Sequence, residues 1–391
     1  MYALACIGAL ELAFAFAHVG EAEYLMPDRI AGFTLMPNKV ITQRLEGFGS
    51  FKTNSFGMQN DEITVAKPAG VLRIAIFGDS FVESMHVDRD KSFLQVLQKQ
   101  LGEKLRRPVQ VLNFGVSNYS VAQDYLRYEK LAKQFKPDLV IQVFRVEESD
   151  KLLPQTSSYL SLVRPVFFVG PQGQLVYDDT NVKAFFNSSA GKKMVANQWL
   201  RHNSHLYCLA GQFSQTLSSV PGLKKKEAAP APAADFTAAE KPASQPANLP
   251  AGKLANAQPR TAGGDNKAKY IACYWYMMDK QLESFRNECL SDGAAFMILR
   301  TPMIKAELDS LRDNATETRL LYQTAERISA PILNLDSLYK NQFGPKNDGK
   351  HFLCGGHFNK DMHNWVGTHL ADYLAQEGSG LLTGVPKGAS K

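Results

Sequence analysis

The sequence predicts an α/β fold built on a parallel sheet of about five strands, and three observations carry that expectation. Short apolar runs such as Ile74-Ala75-Ile76-Phe77 stop on glycine or polar residues, the pattern of strands covered on both faces. Helical patterns alternate with those runs, two of them opened by Ser92-x-x-Gln95 and Ser120-x-x-Gln123, in which each side chain can satisfy an orphan backbone donor. The interval between runs suits right-handed crossovers, which make neighbouring strands parallel.

With 391 residues the chain has room for one large α/β domain with appendages or for two domains. Its composition is that of a globular protein, with 45% hydrophobic and 21% charged residues. The net charge of +6 is mild, and part of it lies in Lys224-Lys225-Lys226. Such a balance argues weakly for contact with an acidic surface and against nucleic-acid reading. No zinc-type cysteine spacing and no phosphate-binding glycine loop occurs, so neither metal nor cofactor is expected. The cysteines stand apart at Cys6, Cys208, Cys273, Cys289 and Cys354. The last four can form one or two disulfides in an oxidising compartment or serve as small apolar residues in a reducing one.

Residues Tyr2 to Val19 are almost wholly apolar, interrupted by Glu11 and His18, and about long enough to cross a bilayer. Three readings stand for segment 1–20: a membrane anchor, a signal peptide cut near Ala15-Phe16-Ala17, or an apolar helix. The first two place the body outside the cytoplasm, periplasmic or at the cell surface, with the membrane as a partner. Residues 21–70 lack helical periodicity and are rich in turn residues such as Pro27-Asp28 and Pro37-Asn38, predicting an extended lead-in with two short strands.

The first buried strand follows at 74–77, and Gly78-Asp79-Ser80 ends it. Ser80 therefore falls just past a strand's carboxyl end, the edge of an open α/β sheet where ligands collect, and is a candidate nucleophile. Asp79 beside it braces the turn, as aspartates in turns do. Phe93, Leu94, Leu97 and Leu101 share one helical face. Further strands are expected at Val109–Phe114, Asp138–Phe144, Ala294–Leu299 and Ile332–Leu335, with helices between. Residues 151–198 predict a surface excursion with small strands of its own, or a lid, and Trp199–Leu217 a helix. Residues 220–266 are dominated by Ala, Pro, Lys, Gly and Ser, too poor in apolar groups to offset the entropy of ordering, and predict a disordered insertion. The insertion interrupts one domain, made of 71–219 and 267–376, and a flexible tail spans 377–391.

Near the end, Asn359 can cap a helix whose apolar face is Met362, Trp365, Val366 and Leu370, which puts His357 on the loop just before it. Gly78-Asp79-Ser80-Phe81 after a strand, and His357 ahead of the last helix with His363 inside it, together resemble the first and closing blocks of the SGNH (GDSL-type) hydrolases. The lead-in, with Asn54, Gly57, Glu62 and Lys67-Pro68, resembles that of membrane-anchored bacterial members. The resemblance covers roughly residues 50 to 375 and implies a three-layer α/β/α, flavodoxin-like domain. It also implies Ser80 as nucleophile and His357 as base, with His363 packed behind. A serine hydroxyl needs such a neighbouring imidazole to become nucleophilic.

For the oxyanion the resemblance implies the Ser80 N–H and a backbone donor in the block starting at Asn113. Asn118 stands there where the family has glycine, and Gly115 shapes the loop. Two positions depart from the family. Arg145-Val146-Glu147-Glu148 replaces a block with an Asn donor, so Glu148 faces the developing charge unless Arg145 neutralises it or donates instead. Cys354 and Gly355 stand where an Asp orients the base, leaving Asp348 as the acid or a Ser80–His357 dyad. His351 is a second candidate base, while His202 and His205 read as packed or surface residues.

The expected activity is hydrolysis of an O-acyl ester on a small molecule or glycan, O-acetyl carbohydrate by analogy with the family. A binding module that kept the fold and lost turnover, and an acyltransferase beside a membrane partner in extracytoplasmic polysaccharide modification, are the alternatives.

Overall fold

The structure is a computed structural model that describes residues 2–17, 19, 23–44, 46–145, 160, 163–219, 264–303, 314–344 and 350–382. An N-terminal helix α1 (Tyr2–Ala17) precedes two antiparallel hairpins, β1 (Leu25–Asp28) with β2 (Gly32–Leu35) and β3 (Val40–Gln43) with β4 (Gly49–Lys52). The lead-in thus holds four strands where the sequence suggested two. The central sheet follows as β5 (Leu72–Phe77), β6 (Val109–Asn113), β7 (Leu139–Phe144), β10 (Ala295–Arg300) and β11 (Ile332–Asn334). Between β7 and β10 lies a small hairpin, β8 (Val166–Val169) with β9 (Leu175–Asp178). The helices after α1 are α2 (Ser80–Glu83), α3 (Phe93–Leu105), α4 (Val121–Lys130), α5 (Thr180–Asn187), α6 (Ser189–Ala196), α7 (Gln198–Asn203) and α8 (His205–Ser219). They continue with α9 (Gly264–Ser291), α10 (Asn314–Arg327), α11 (Leu335–Phe343) and α12 (Lys360–Ala375).

All pairings in the central sheet are parallel, in the order β11-β10-β7-β5-β6. This is the doubly wound, flavodoxin-like order, in which the winding reverses between the first and third strands. Side chains alternate across the sheet because successive Cβ atoms point to opposite faces. Ile74, Ile76, Ile141, Val143, Met297 and Leu299 join α3 and α12 in one buried cluster. Ala75, Phe77, Val140, Phe144, Phe296 and Ile298 face α4, α9 and α10 in the other. Three layers result, as expected. Ser92 and Ser120 cap α3 and α4, the latter with Gln123 in a full capping box.

Arg73 on β5 is wholly buried and ties the lead-in to the sheet. Its guanidinium donates to the carbonyls of Thr64 (2.7 Å), Val65 (2.9 Å) and Phe135 (2.8 Å) and to Gln110 Oε1 (2.8 Å). Arg73→Met keeps the stem and strands those acceptors, so it is expected to cost about 3–5 kcal/mol in chemical unfolding. A loss under about 1 kcal/mol would show that water replaces the donor freely.

Several expectations change in detail. Among the described residues no helix is long and apolar enough to cross a membrane. Glu11, the charge that interrupts the apolar run, accepts from Ser204 Oγ (2.9 Å) and the backbone of Leu206 (3.3 Å) and so caps α8. The helix expected over Trp199–Leu217 breaks at Ser204 into α7 and α8 for the same reason. Helix α9 starts at Gly264, inside the stretch expected to be disordered, whose residues 220–263 lie outside the described residues. The tail begins as a 3₁₀ turn, Glu377–Leu382, because Leu382 joins the core. The excursion packs Phe167 of β8 on Tyr125, with ring centroids 5.8 Å apart, and most of its opening residues lie outside those described. Cys208 and Cys289 are buried and Cys354 is exposed, each a free thiol.

Candidate active site

Ser80 opens α2 at the carboxyl end of β5, beside the switch between β5 and β7. Asp79 is buried and its side chain accepts from the Phe81 N–H, capping the short helix and fixing the turn that presents the serine. His357 arrives on the loop before α12, whose cap Asn359 accepts from Asp361 and Met362. Ser80 Oγ lies 2.8 Å from His357 Nε2 across 277 positions of sequence. His351 bonds the Tyr339 hydroxyl (2.9 Å) through Nδ1. His363 is buried on α12, takes the Phe93 N–H on Nδ1 (3.2 Å), and burial lowers its pKa to about 3.

The acid behind His357 is Glu46, on the turn between β3 and β4 and 311 positions upstream. Its Oε2 lies 2.8 Å from Nδ1, and its Oε1 accepts the His357 backbone N–H at 3.1 Å. A carboxylate only accepts, so the ring carries its proton on Nδ1 and turns the Nε2 lone pair to Ser80. Partial burial opposes ionisation of Glu46, but the hydrogen bonds from His357 and the charges of His357 and His86 hold its pKa below the ordinary carboxylate value. A Cβ on Gly355 would come within 2.4 Å of Glu46 Oε2, so this position must be glycine for the acid to approach. The nitrogen for which the sequence offered Asp348 is therefore served by Glu46. Asp348 and Glu148 lie outside the described residues. Cys354 is exposed and takes no part in this relay.

His86 is a second residue that sequence reading missed. Its buried ring stacks on His357, with centroids 3.8 Å apart and planes at 18°. Burial, and then the neighbouring His357 charge, lower its pKa to about 4, so it is neutral at pH 7. Phe81 also stacks on His357 (4.8 Å), and the Arg145 guanidinium sits 3.4 Å over the Phe81 ring. Arg145 thus supports the ring that packs on His357.

The Ser80 N–H makes no hydrogen bond within the described residues, as an oxyanion donor requires. The Gly115 N–H is committed to Asn113 Oδ1 (2.9 Å), so Gly115 is not an oxyanion donor. Its lack of a side chain instead lets the loop lie against α2, where a Cβ would meet Glu83 N at 2.4 Å. Asn118 has φ of 65°, the left-handed conformation that asparagine tolerates in place of the family glycine.

Glu83 holds this loop: its Oε2 accepts the Ser117 N–H (2.6 Å) and the Ser117 hydroxyl. Burial pushes the Glu83 carboxyl up to about 7, with the Ser117 bonds and Arg127 only partly opposing it. Between the ordinary value of 4.5 and about 7 the folded chain keeps a proton that the unfolded chain releases, so stability falls as pH rises through that window. Relative to Glu83→Gln, the parent is expected to lose about 3 kcal/mol between about pH 4 and about pH 8. Urea unfolding at both pH values reads this, and a pH-independent difference would refute it.

Fold and site together define a class: a doubly wound sheet that brings a serine, a histidine and a carboxylate into one hydrogen-bonded line at its switch point. The strand order is the flavodoxin-like one that the resemblance implies.

No protein-family model and no curated protein matches the chain. Among solved structures it is similar to TesA, at 11% identity, covering 78% of this chain and 98% of that one with a TM-score of 0.39. It is also similar to Axe2, an acetylxylan esterase from Geobacillus stearothermophilus, at 9% identity, 78% and 93% coverage and a TM-score of 0.39. A third is a putative lipolytic protein of the G-D-S-L family from Desulfitobacterium hafniense, at 10% identity, 77% and 98% coverage and a TM-score of 0.36.

Proposed function

We propose that this chain is a serine esterase of the SGNH type that hydrolyses O-acyl esters through Ser80, His357 and Glu46. The observation that carries the reading is the unbroken relay from Ser80 Oγ through both ring nitrogens of His357 to Glu46, at 2.8 Å in each step. Ser80 Oγ attacks the ester carbonyl while Nε2 takes its proton, and Glu46 stabilises the imidazolium that forms. The Ser80 N–H donates to the oxyanion, joined by the Asn118 backbone. His357 then returns the proton to the leaving alkoxide, and a water, deprotonated by the same nitrogen, releases the acid from Ser80.

An O-acetyl group on a carbohydrate is the substrate class the resemblance suggests; the fold alone does not fix it. The binding-module alternative drew on the missing acid before His357, and Glu46 supplies that acid from elsewhere, which favours turnover. The test is hydrolysis of p-nitrophenyl acetate together with covalent labelling of Ser80 by a serine-reactive fluorophosphonate. Neither turnover nor labelling would leave a binding module. Labelling with release only in the presence of an added sugar acceptor would select a transferase.

A further inference from the structure

We propose that His86 is a positioning residue for the ester hydrolysis: its ring is the platform on which His357 is held in line between Ser80 and Glu46 and on which the transient imidazolium rests. The inference rests on the esterase reading above. The His86 ring is 5% exposed and stacks on His357 with centroids 3.8 Å apart and planes at 18°. The hydrogen bonds to Ser80 and Glu46 are made at the two ring nitrogens of His357 and fix where its edge points. They resist tipping about the line joining those nitrogens only weakly, and the stacked rings of His86 and Phe81 supply that restraint.

The segment that carries His86 also carries Ser80 and seats the hairpin of Glu46. Ser84 ends α2 at φ of 59°, and its N–H donates to the Ser80 carbonyl at 2.9 Å, two residues before His86. The turn between β3 and β4 lies directly on the backbone that follows. A Cβ on Gly47 would come within 2.6 Å of the His86 carbonyl oxygen, and one on Gly49 within 2.5 Å of those of Met85 and Val87. Two positions without side chains thus let the acid-bearing turn close on the platform, which puts Glu46 Oε2 3.7 Å from His86 Nε2.

As Ser80 Oγ bonds to the ester carbonyl, its proton passes to Nε2 and His357 becomes a cation; the proton then leaves with the alkoxide, and His86 exchanges none. The face of a neutral aromatic ring attracts such a cation, most strongly where water is excluded, and a charged ring would repel it. Burial, and then the His357 charge, hold the His86 pKa down to about 4 against the pull of Glu46, so the platform is neutral at pH 7. The stack therefore strengthens as the charge forms, and an interaction stronger in the transition state than before it raises the rate.

The full chain is compared with His86→Phe, which keeps a ring face, and His86→Leu, which keeps bulk without one, in p-nitrophenyl acetate kinetics. His86→Phe is expected to hold kcat within about threefold of the parent, and His86→Leu to lower kcat about 5- to 30-fold with KM within about twofold. A merely space-filling residue makes the two variants alike, so equal kcat in both, or a loss carried by KM, would overturn the proposal. A second readout needs no turnover. The His357 Nδ1–H proton shared with Glu46 is expected to give a low-field proton resonance in the parent and in His86→Phe, and to be lost to exchange with water in His86→Ala; its persistence in His86→Ala overturns the proposal as well. Should the parent show no hydrolysis, the esterase reading fails, and this resonance still decides whether His86 holds the ring. Should His86→Ala not fold, the comparison of His86→Phe with His86→Leu decides.

Discussion

Ser80→Ala is expected to lower kcat/KM for p-nitrophenyl acetate by about 10⁴- to 10⁶-fold, the scale seen when a serine nucleophile is removed from a working relay. The same change is expected to abolish fluorophosphonate labelling and to leave folding stability within about 1 kcal/mol. Stability is spared because, among the described residues, the serine side chain makes one part-buried hydrogen bond, to the His357 ring, while the capping of α2 is done by Asp79. An unchanged rate would remove the nucleophile and leave only the architecture.

Glu46→Gln is the second large effect, about 10²- to 10⁴-fold in kcat with little change in KM. The size follows from which atom of the amide meets which nitrogen. The His357 backbone N–H is a fixed donor, now accepted by Oε1, and only the amide oxygen can replace that acceptor. The amide NH₂ is then left facing Nδ1, which must become an acceptor, and the proton moves to Nε2. The ring therefore keeps its place and loses its function as a base. A fall in KM comparable to the fall in kcat, or no fall in kcat, would refute this account.

The same substitution has a pH signature. The Glu46 pKa is depressed in the folded chain. Its contribution to stability is therefore full above the ordinary carboxylate range and lost as pH falls through the lowered value. The stability gap between parent and Glu46→Gln is expected to close in acid, which thermal unfolding across pH reads directly.

Glu46 and Glu83 show two ways in which the fold sets the charge of a carboxyl group. Glu46 is partly exposed and meets donors on both oxygens, so its ionised form is favoured. Glu83 is wholly buried and, among the described residues, Oε1 has no partner, so its neutral form gains. The first is suited to holding an imidazolium and the second to bracing a loop near neutrality.

The sequence by itself determined the elements of the sheet and the two ends of the Ser80–His357 contact. The apolar runs at 74–77, 109–114, 138–144, 294–299 and 332–335 are local signals, because a strand buried on both faces must be apolar along its length. Ser80 and His357 were legible for a related reason: each sits directly beside an element boundary that the local pattern marks, the end of β5 and the cap of α12. Only the tertiary structure decided the acid and the second imidazole. Glu46 lies on a hairpin turn whose short strands carry little periodicity, and nothing near it in sequence says that the turn folds back onto His357. Gly355 was the one local trace, a residue without a side chain where the carboxylate passes. His86 likewise reads as an ordinary loop residue until the fold stacks its ring on His357. Periodicity and capping are short-range effects written along the chain, whereas a hydrogen bond across 311 residues depends on how separately stable pieces dock, and that is fixed by packing.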